Sequence, residues 1–244
     1  MIDASTTLIR DLVANDFRTA AVFQKYGLDF CCGGGRPIAE AAIDKGVDPA
    51  SIIADLEKLD ATPANGSPKF NTWELDLLAD YIVANHHAYV REALPTILLH
   101  VEKVARVHGE NHPETIAIAN AFRRVAQELS QHMQREEMML FPFIKAMLSA
   151  SRSGLQGPSA PFGTVANPIR MMEMEHQNAG DEMAEIRALS NGYTPPEDAC
   201  TTYRVSFQEL HAFELDLHQH VHLENNILFP KAVELEAALA SAVA

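Results

Sequence analysis

Between residues 72 and 108 apolar side chains return every three or four positions, at Leu75, Leu78, Ile82, Val83, Val90, Leu94, Leu98 and Val101. This is the period of one face of an α-helix. Three further stretches are expected to form long helices, 113–148, 167–189 and 197–240. Between them lie 109–113, the Ser/Gly/Pro-rich 149–161, and 191–196, which read as turns or loops. Pro95 should kink or split the first helix, and Pro142 and Pro230 should bend the second and fourth. Four helices with short connections predict an antiparallel up-down-up-down bundle.

Residues 1–60 carry shorter apolar groups, such as Leu8, Leu12 and Val13, then Ala20, Val22 and Phe23. Short helices are expected over 6–14, 17–26, 38–45 and 50–59. Gly27 ends the second as a C-cap, and Pro37 suits the first turn of the third. Pro63, Asn65, Gly66 and Pro68 mark a linker. The chain is therefore expected to be all-α. It divides into a small N-terminal helical domain (1–62), a linker (63–70) and a four-helix bundle (71–244).

Composition narrows the function. A hydrophobic share of 47% with 21% charged residues is that of an ordinary soluble globular protein. The net charge of −14 argues against a nucleic-acid or anionic membrane surface. No apolar run approaches the roughly 20 residues of a membrane span, and Asp3 and Arg10 break any signal-peptide pattern. A cytoplasmic protein is expected. Three cysteines, two of them adjacent, do not make a disulfide framework.

The most informative pattern is a repeat. His132-Met-Gln-Arg-Glu136-Glu-Met-Met-Leu-Phe-Pro142 returns 88 residues later as His220-Val-His-Leu-Glu224-Asn-Asn-Ile-Leu-Phe-Pro230. Positions i and i+4 share a helix face, so each copy aims an imidazole and a carboxylate the same way. His87 and His176, 89 residues apart, fit the same two-hairpin symmetry on the other two helices. Neighbouring His86 lies on a less apolar stripe, and His87 is preferred.

A single histidine on an apolar face is more often an ordinary core residue. Two matching His/Glu pairs are different. Two buried carboxylates without a Lys or Arg on their stripe are very costly unless a cation compensates them. Four imidazoles and two carboxylates exceed what one tetrahedral zinc uses, and no thiolate is among them. Two ions sharing Glu136 and Glu224 as bridges use every donor, and nitrogen with carboxylate suits non-haem iron. The Glu-x-x-His pattern of ferritin-like centres occurs once only, at Glu173 and His176. His218 and His222 are expected to be solvated or outside the ligand set. His108 and His112 belong to an interhelix turn, and His211 to a helix surface.

Residues 70–240 resemble a hemerythrin-like domain, and the whole chain resembles the iron-sulfur cluster repair di-iron family. The carrying residues are Asp29-Phe-Cys31-Cys32-Gly-Gly-Gly35, His87 with Arg91 and Leu94-Pro95, the turn 107–113, both His-x-x-x-Glu copies, and His176. The resemblance implies two non-haem iron ions, oxo- or hydroxo-bridged. His87, His132, His176 and His220 would be the terminal ligands and Glu136 and Glu224 the bridges. It also implies a response to nitric oxide or another small diatomic ligand, and a part in restoring damaged clusters in recipient iron-sulfur proteins.

The glycines after Cys31 and Cys32 should leave sulfur accessible, while Arg36 and the helix after Pro37 should favour thiolate. Such a pair can bind iron, take a nitrosyl group or exchange disulfides. Cys200, at the start of the last helix, reads as structural. The leading expectation is that the iron site binds nitric oxide or releases iron, which Cys31 and Cys32 relay to a damaged cluster. The rivals are a nitric oxide or oxygen carrier without turnover, and a nitric oxide reductase. A homodimer is compatible with the sequence. Gly180, one turn after His176, stands where the other copies place Glu, and could leave room for a diatomic ligand.

Overall fold

Each helix of the bundle buries the apolar stripe that the sequence shows. Along Glu114–Arg135 the buried residues include Ile118, Phe122, Val125, Leu129 and Met133, while Arg123 and Arg124 face outward to carboxylates. Each such apolar side chain contributes about 1.5–3 kcal/mol on burial. The computed structural model describes residues 2–60 and 68–241. Among them regular structure is helical, apart from one isolated bridge between Leu8 and Pro37.

The N-terminal unit comprises α1 (Ile9–Asn15), α2 (Thr19–Lys25), α3 (Ile38–Asp44) and α4 (Pro49–Asp60). Most of the expected linker, 63–67, lies outside the described residues. Four long rods follow. The first is α5 (Leu75–Tyr81) with α6 (Ala88–His108), and the second is α7 (Glu114–Arg135) with α8 (Phe141–Arg152). The third is α9 (Ala166–Leu189), and the fourth is α10 (Thr201–Leu223) with α11 (Phe229–Ser241). Because α6 packs on α7 and α5 on α8, the first two rods are antiparallel. Contacts of Arg124 with Glu182 and His132 with Glu175 make the second and third antiparallel too. The start of the fourth rod, α10, lies on α6, the end of the first.

One expectation about proline is corrected. Pro95 neither splits nor ends α6, which runs through it. Pro95 and Arg91, whose carbonyl would have received its N–H, both face solvent, where water can take that carbonyl. Within the rods, among the described residues, α-geometry gives way to three π-turns, Ile82–His87, Glu136–Leu140 and Glu224–Leu228. Two of them end two residues before Pro142 and Pro230, and a wider turn there relieves the clash of a proline ring with the carbonyl four residues back. The first π-turn has no such proline. What all three share is a residue of the polar centre described below.

The fourth rod also starts later than expected, at Thr201 rather than 197. Cys200 is extended, and Asp198 turns to His112 of the opposite interhelix turn.

The polar centre cuts the core in two. One apolar cluster runs from Val90 and Leu94 through Leu129, Met133, Ala179, Met183, Leu217 and Val221. The other holds Leu78, Ile82, Leu140, Phe141, Met172, Ile227 and Leu228. The first cluster continues into the N-terminal unit through Ile9, Phe23 and Phe30. That unit lies against α10 and the π-turn at Glu224–Leu228.

Candidate metal centre

The layer between the two apolar clusters is filled by His87, His132, Glu136, His176, His220 and Glu224. All six are at most 1% exposed. Their side chains form two quartets: His87, His220, Glu136 and Glu224, and His132, His176, Glu136 and Glu224. Both carboxylates belong to both. Glu224 places Oε1 3.1 Å from His220 Nε2 and Oε2 3.0 Å from His176 Nε2. Glu136 Oε2 lies 3.2 Å from His132 Nε2 and 3.4 Å from His87 Nε2.

The donors fit a cation. Neither oxygen of Glu136 accepts a hydrogen bond, nor does Glu224 Oε2, among the described residues. Imidazole nitrogens stand at ion-pair distance from them without pointing a proton along a lone pair. The nitrogens also meet each other, His87 Nε2 to His220 Nε2 at 3.2 Å and His132 Nε2 to His176 Nε2 at 3.0 Å. Two nitrogens at about 2.1 Å from one ion and at right angles would be about 3.0 Å apart.

The electrostatics agree. Burial disfavours the charged form of His87 and His132, yet Glu136 and Glu224 overcome it and raise both to about 10. Burial opposes ionisation of the carboxylates as well, but the imidazoles hold Glu136 below its ordinary value and Glu224 well below it. The centre demands positive charge. Imidazole and carboxylate without thiolate is the donor set of metals such as non-haem iron.

Outer partners orient three of the four rings. His87 Nδ1 meets Glu137 at 2.7 Å, and Arg91 holds that carboxylate. His132 Nδ1 meets Glu175 at 2.8 Å, and Arg135 holds it at 2.5 Å. His176 Nδ1 meets Asn225 Oδ1 at 2.8 Å. Such partners fix the tautomer that leaves Nε2 free for an ion. Glu137, Glu175 and Asn225 are absent from the sequence reading. The available signal was their position, each beside one of the six central residues.

His86 is also buried but turns away, pairing through Nδ1 with Asp216 at 2.9 Å and stacking on His220. His222 is not solvated. It is buried against Phe17 and Phe30, and burial pushes it down to about 4. His218 packs on Phe30 and contacts Gln24. His211 is exposed and stacks on Tyr193, while His108 lies 3.2 Å from Cys200 Sγ across the interhelix turn.

The Cys31–Cys32 loop is organised by Asp29. Its Oδ1 accepts the N–H groups of Cys31 and Cys32 at 2.9 and 3.0 Å, and its Oδ2 accepts that of Gly33 at 2.9 Å. Gly34 is required, since a Cβ there would lie 2.3 Å from the Phe30 carbonyl oxygen. The expected exposed thiolate pair is corrected. Cys31 is buried and Cys32 half-buried, with their sulfurs 4.0 Å apart. The hydrogen bond to Cys32, burial and the nearby Asp29 push the Cys31 thiol well up. Arg36 is engaged by Glu40 and Asp44. A cleft of about 450 Å³ opens beside both cysteines, with Gly180, Arg187, Tyr193 and His218 among its walls.

Comparison with known proteins matches this architecture in two parts. The family described as the hemerythrin HHE cation binding domain matches residues 78–232. A domain family of unknown function (DUF542) matches residues 6–60. The chain is similar to the iron-sulfur cluster repair protein YtfE of Musicola paradisiaca, 38% identical over 223 residues, covering 90% of this chain and 93% of that one. Similarity to the proteins of the same name in Pectobacterium atrosepticum (38%, 90% and 93% covered) and Citrobacter koseri (36%, 88% and 91%) is comparable.

Proposed function

The chain belongs to the iron-sulfur cluster repair family, and we propose that it helps restore damaged iron-sulfur clusters from a bridged pair of non-haem irons. His87 and His220 would hold one ion and His132 and His176 the other, with Glu136 and Glu224 shared between them. The observation that carries this reading is that two buried carboxylates, three of whose four oxygens receive no hydrogen bond among the described residues, each serve two imidazole pairs. When bound, such an iron pair supplies electrons and open positions for a small diatomic ligand such as nitric oxide.

The chain's own residues do the rest. Two apolar clusters exclude water from the centre, and Glu137, Glu175 and Asn225 hold the imidazoles in the tautomer that presents Nε2 inward. Cys31 and Cys32 line the cleft, which supports their meeting a recipient iron-sulfur protein there. Because Cys31 is buried, Cys32 is the sulfur that makes that contact first.

Iron analysis with Mössbauer spectroscopy, before and after nitric oxide, tests the centre. Two coupled irons per chain are expected, and one iron or none refutes it. Recovery of a cluster enzyme after nitrosative stress tests the role, and is expected to require both the six central residues and Cys32.

A further inference from the structure

The two copies of the repeated motif differ just after the carboxylate. The first continues Glu137-Met138 and the second Asn225-Asn226. Met138 is 73% exposed, and its sulfur accepts from Gln134 one turn back on its own helix. Asn226 donates through Nδ2 to the carbonyls of Phe30 and Cys31, both at 3.1 Å, and so pins the cysteine loop to the fourth rod. Asn225 reaches both ways. Its Oδ1 is 2.8 Å from His176 Nδ1 and its Nδ2 is 4.0 Å from Cys32 Sγ.

The chemistry orients this amide without ambiguity. An ion on His176 Nε2 leaves the proton on Nδ1, which donates outward. The amide must then turn its oxygen to the ring and its NH₂ to Cys32, whose sulfur accepts. An ion at Nε2 draws charge from the ring and makes Nδ1–H a stronger donor. That polarises the amide and strengthens its N–H toward sulfur, since hydrogen bonds in a chain reinforce one another. The outer partners of His87 and His132 lead instead to Arg91 and Arg135. Of the three rings with an outer partner, His176 alone is connected to a thiol among the described residues.

We propose that Asn225 is a positioning residue that couples occupation of the metal centre to the reactivity of Cys32. Loading the centre activates the thiol, so Cys32 engages a recipient when there is iron to pass on. The inference rests on the metal reading above.

The test uses the full chain, free of metal or loaded anaerobically with ferrous ion. Iodoacetamide alkylation is followed cysteine by cysteine by mass spectrometry, the sulfur displacing iodide as its proton goes to solvent. Loading is expected to speed alkylation of Cys32 by about five-fold or more, the lower end of ordinary coupling between sites. Cys200, at the far turn, serves as the internal control and should not change. Asn225→Asp keeps an acceptor for His176, as Glu137 and Glu175 do for their rings, but removes the donor to sulfur. It should retain iron while the effect of loading falls within about two-fold. A fully loaded Asn225→Asp chain that still shows the native acceleration overturns the coupling alone. A native chain that takes up no iron overturns the metal reading and the coupling with it. If Asn225→Asp loads poorly, the connection is cut from the other end. Cys32→Ala should shift the midpoint potential of the centre and Cys31→Ala should not, and equal shifts overturn the proposal.

Discussion

Glu224 divides its carboxylate between His220 and His176, one oxygen 3.1 Å from the first and the other 3.0 Å from the second. Each carboxylate thus belongs to both quartets, whereas each histidine belongs to one. Glu224→Ala and Glu136→Ala should therefore lower occupancy of both ions, leaving less than half of the native iron. His87→Ala or His132→Ala should leave one ion bound and abolish magnetic coupling. Iron analysis paired with Mössbauer spectra checks this, and one intact ion in Glu224→Ala would show that the bridge is misassigned.

The outer carboxylates should matter almost as much as the inner ones. Glu175 is held down to about 2 by its hydrogen bond to His132, against the cost of burial, and by Arg135. Glu175→Gln replaces the charge that supports His132 with a neutral amide. Removing a partner of this kind typically costs about 10–100-fold in metal affinity. Competition with a chelator should find Glu175→Gln and Glu137→Gln in that range, with melting temperatures close to native.

The four rods and the six central residues are legible in the sequence because the helical period runs through long stretches and each ligand-type residue sits on the apolar stripe. The π-turns are not, since one extra residue in a turn displaces the stripe only locally, and Pro142 and Pro230 read simply as bends. Nor are Glu137 and Glu175, which look like any solvated glutamate until a facing helix brings an imidazole to them. The burial of Cys31 and His222 was hidden for a related reason. Both are covered by docking between the N-terminal unit and α10, and neither polar pattern nor glycine content reports a tertiary contact.

Metal uptake should depend strongly on pH. In the metal-free chain His87 and His132 are raised from 6.5 to about 10, so both carry a proton at neutral pH. An incoming ion must displace those protons, so affinity falls as pH falls below about 10. Calorimetry in buffers of different ionisation enthalpy should find about two protons released per loaded chain at pH 7. The same shifts stabilise the metal-free fold fully below pH 6.5, and that contribution is lost as pH rises through about 10. Metal-free protein should therefore melt lower at pH 10 than at pH 7 by more than the loaded protein does.

His222 works in the opposite sense. Burial lowers it from 6.5 to about 4, and its Nε2 has no partner among the described residues. The unfolded chain takes up a proton before the folded one does. Stability is therefore lost as pH falls from 6.5 toward about 4, by at most about 3 kcal/mol. Because Phe17 and Phe30 lie on this ring, the N-terminal unit should loosen first. His222→Leu should reduce the drop in melting temperature between pH 7 and pH 5, and an unchanged drop would assign the acid sensitivity elsewhere.

Gly180 stands in the middle of α9, where glycine costs about 0.8–1 kcal/mol relative to alanine. Nothing in the packing requires it. Its φ lies outside the left-handed region, and among the described residues a Cβ would meet no atom within 4 Å beyond its own helix backbone and chain neighbours. A residue kept at a cost without a packing reason points to what a larger side chain would obstruct, and Gly180 lines the cleft beside Cys31 and Cys32. Gly180→Leu should accordingly move two properties in opposite directions. The helix gains stability and the protein melts higher, with its iron retained. Entry to the cleft narrows, so stopped-flow binding of nitric oxide slows and bulky maleimides label Cys32 more slowly. Higher stability with unchanged access would mean that the glycine serves neither, and that small ligands reach the metal layer by another path.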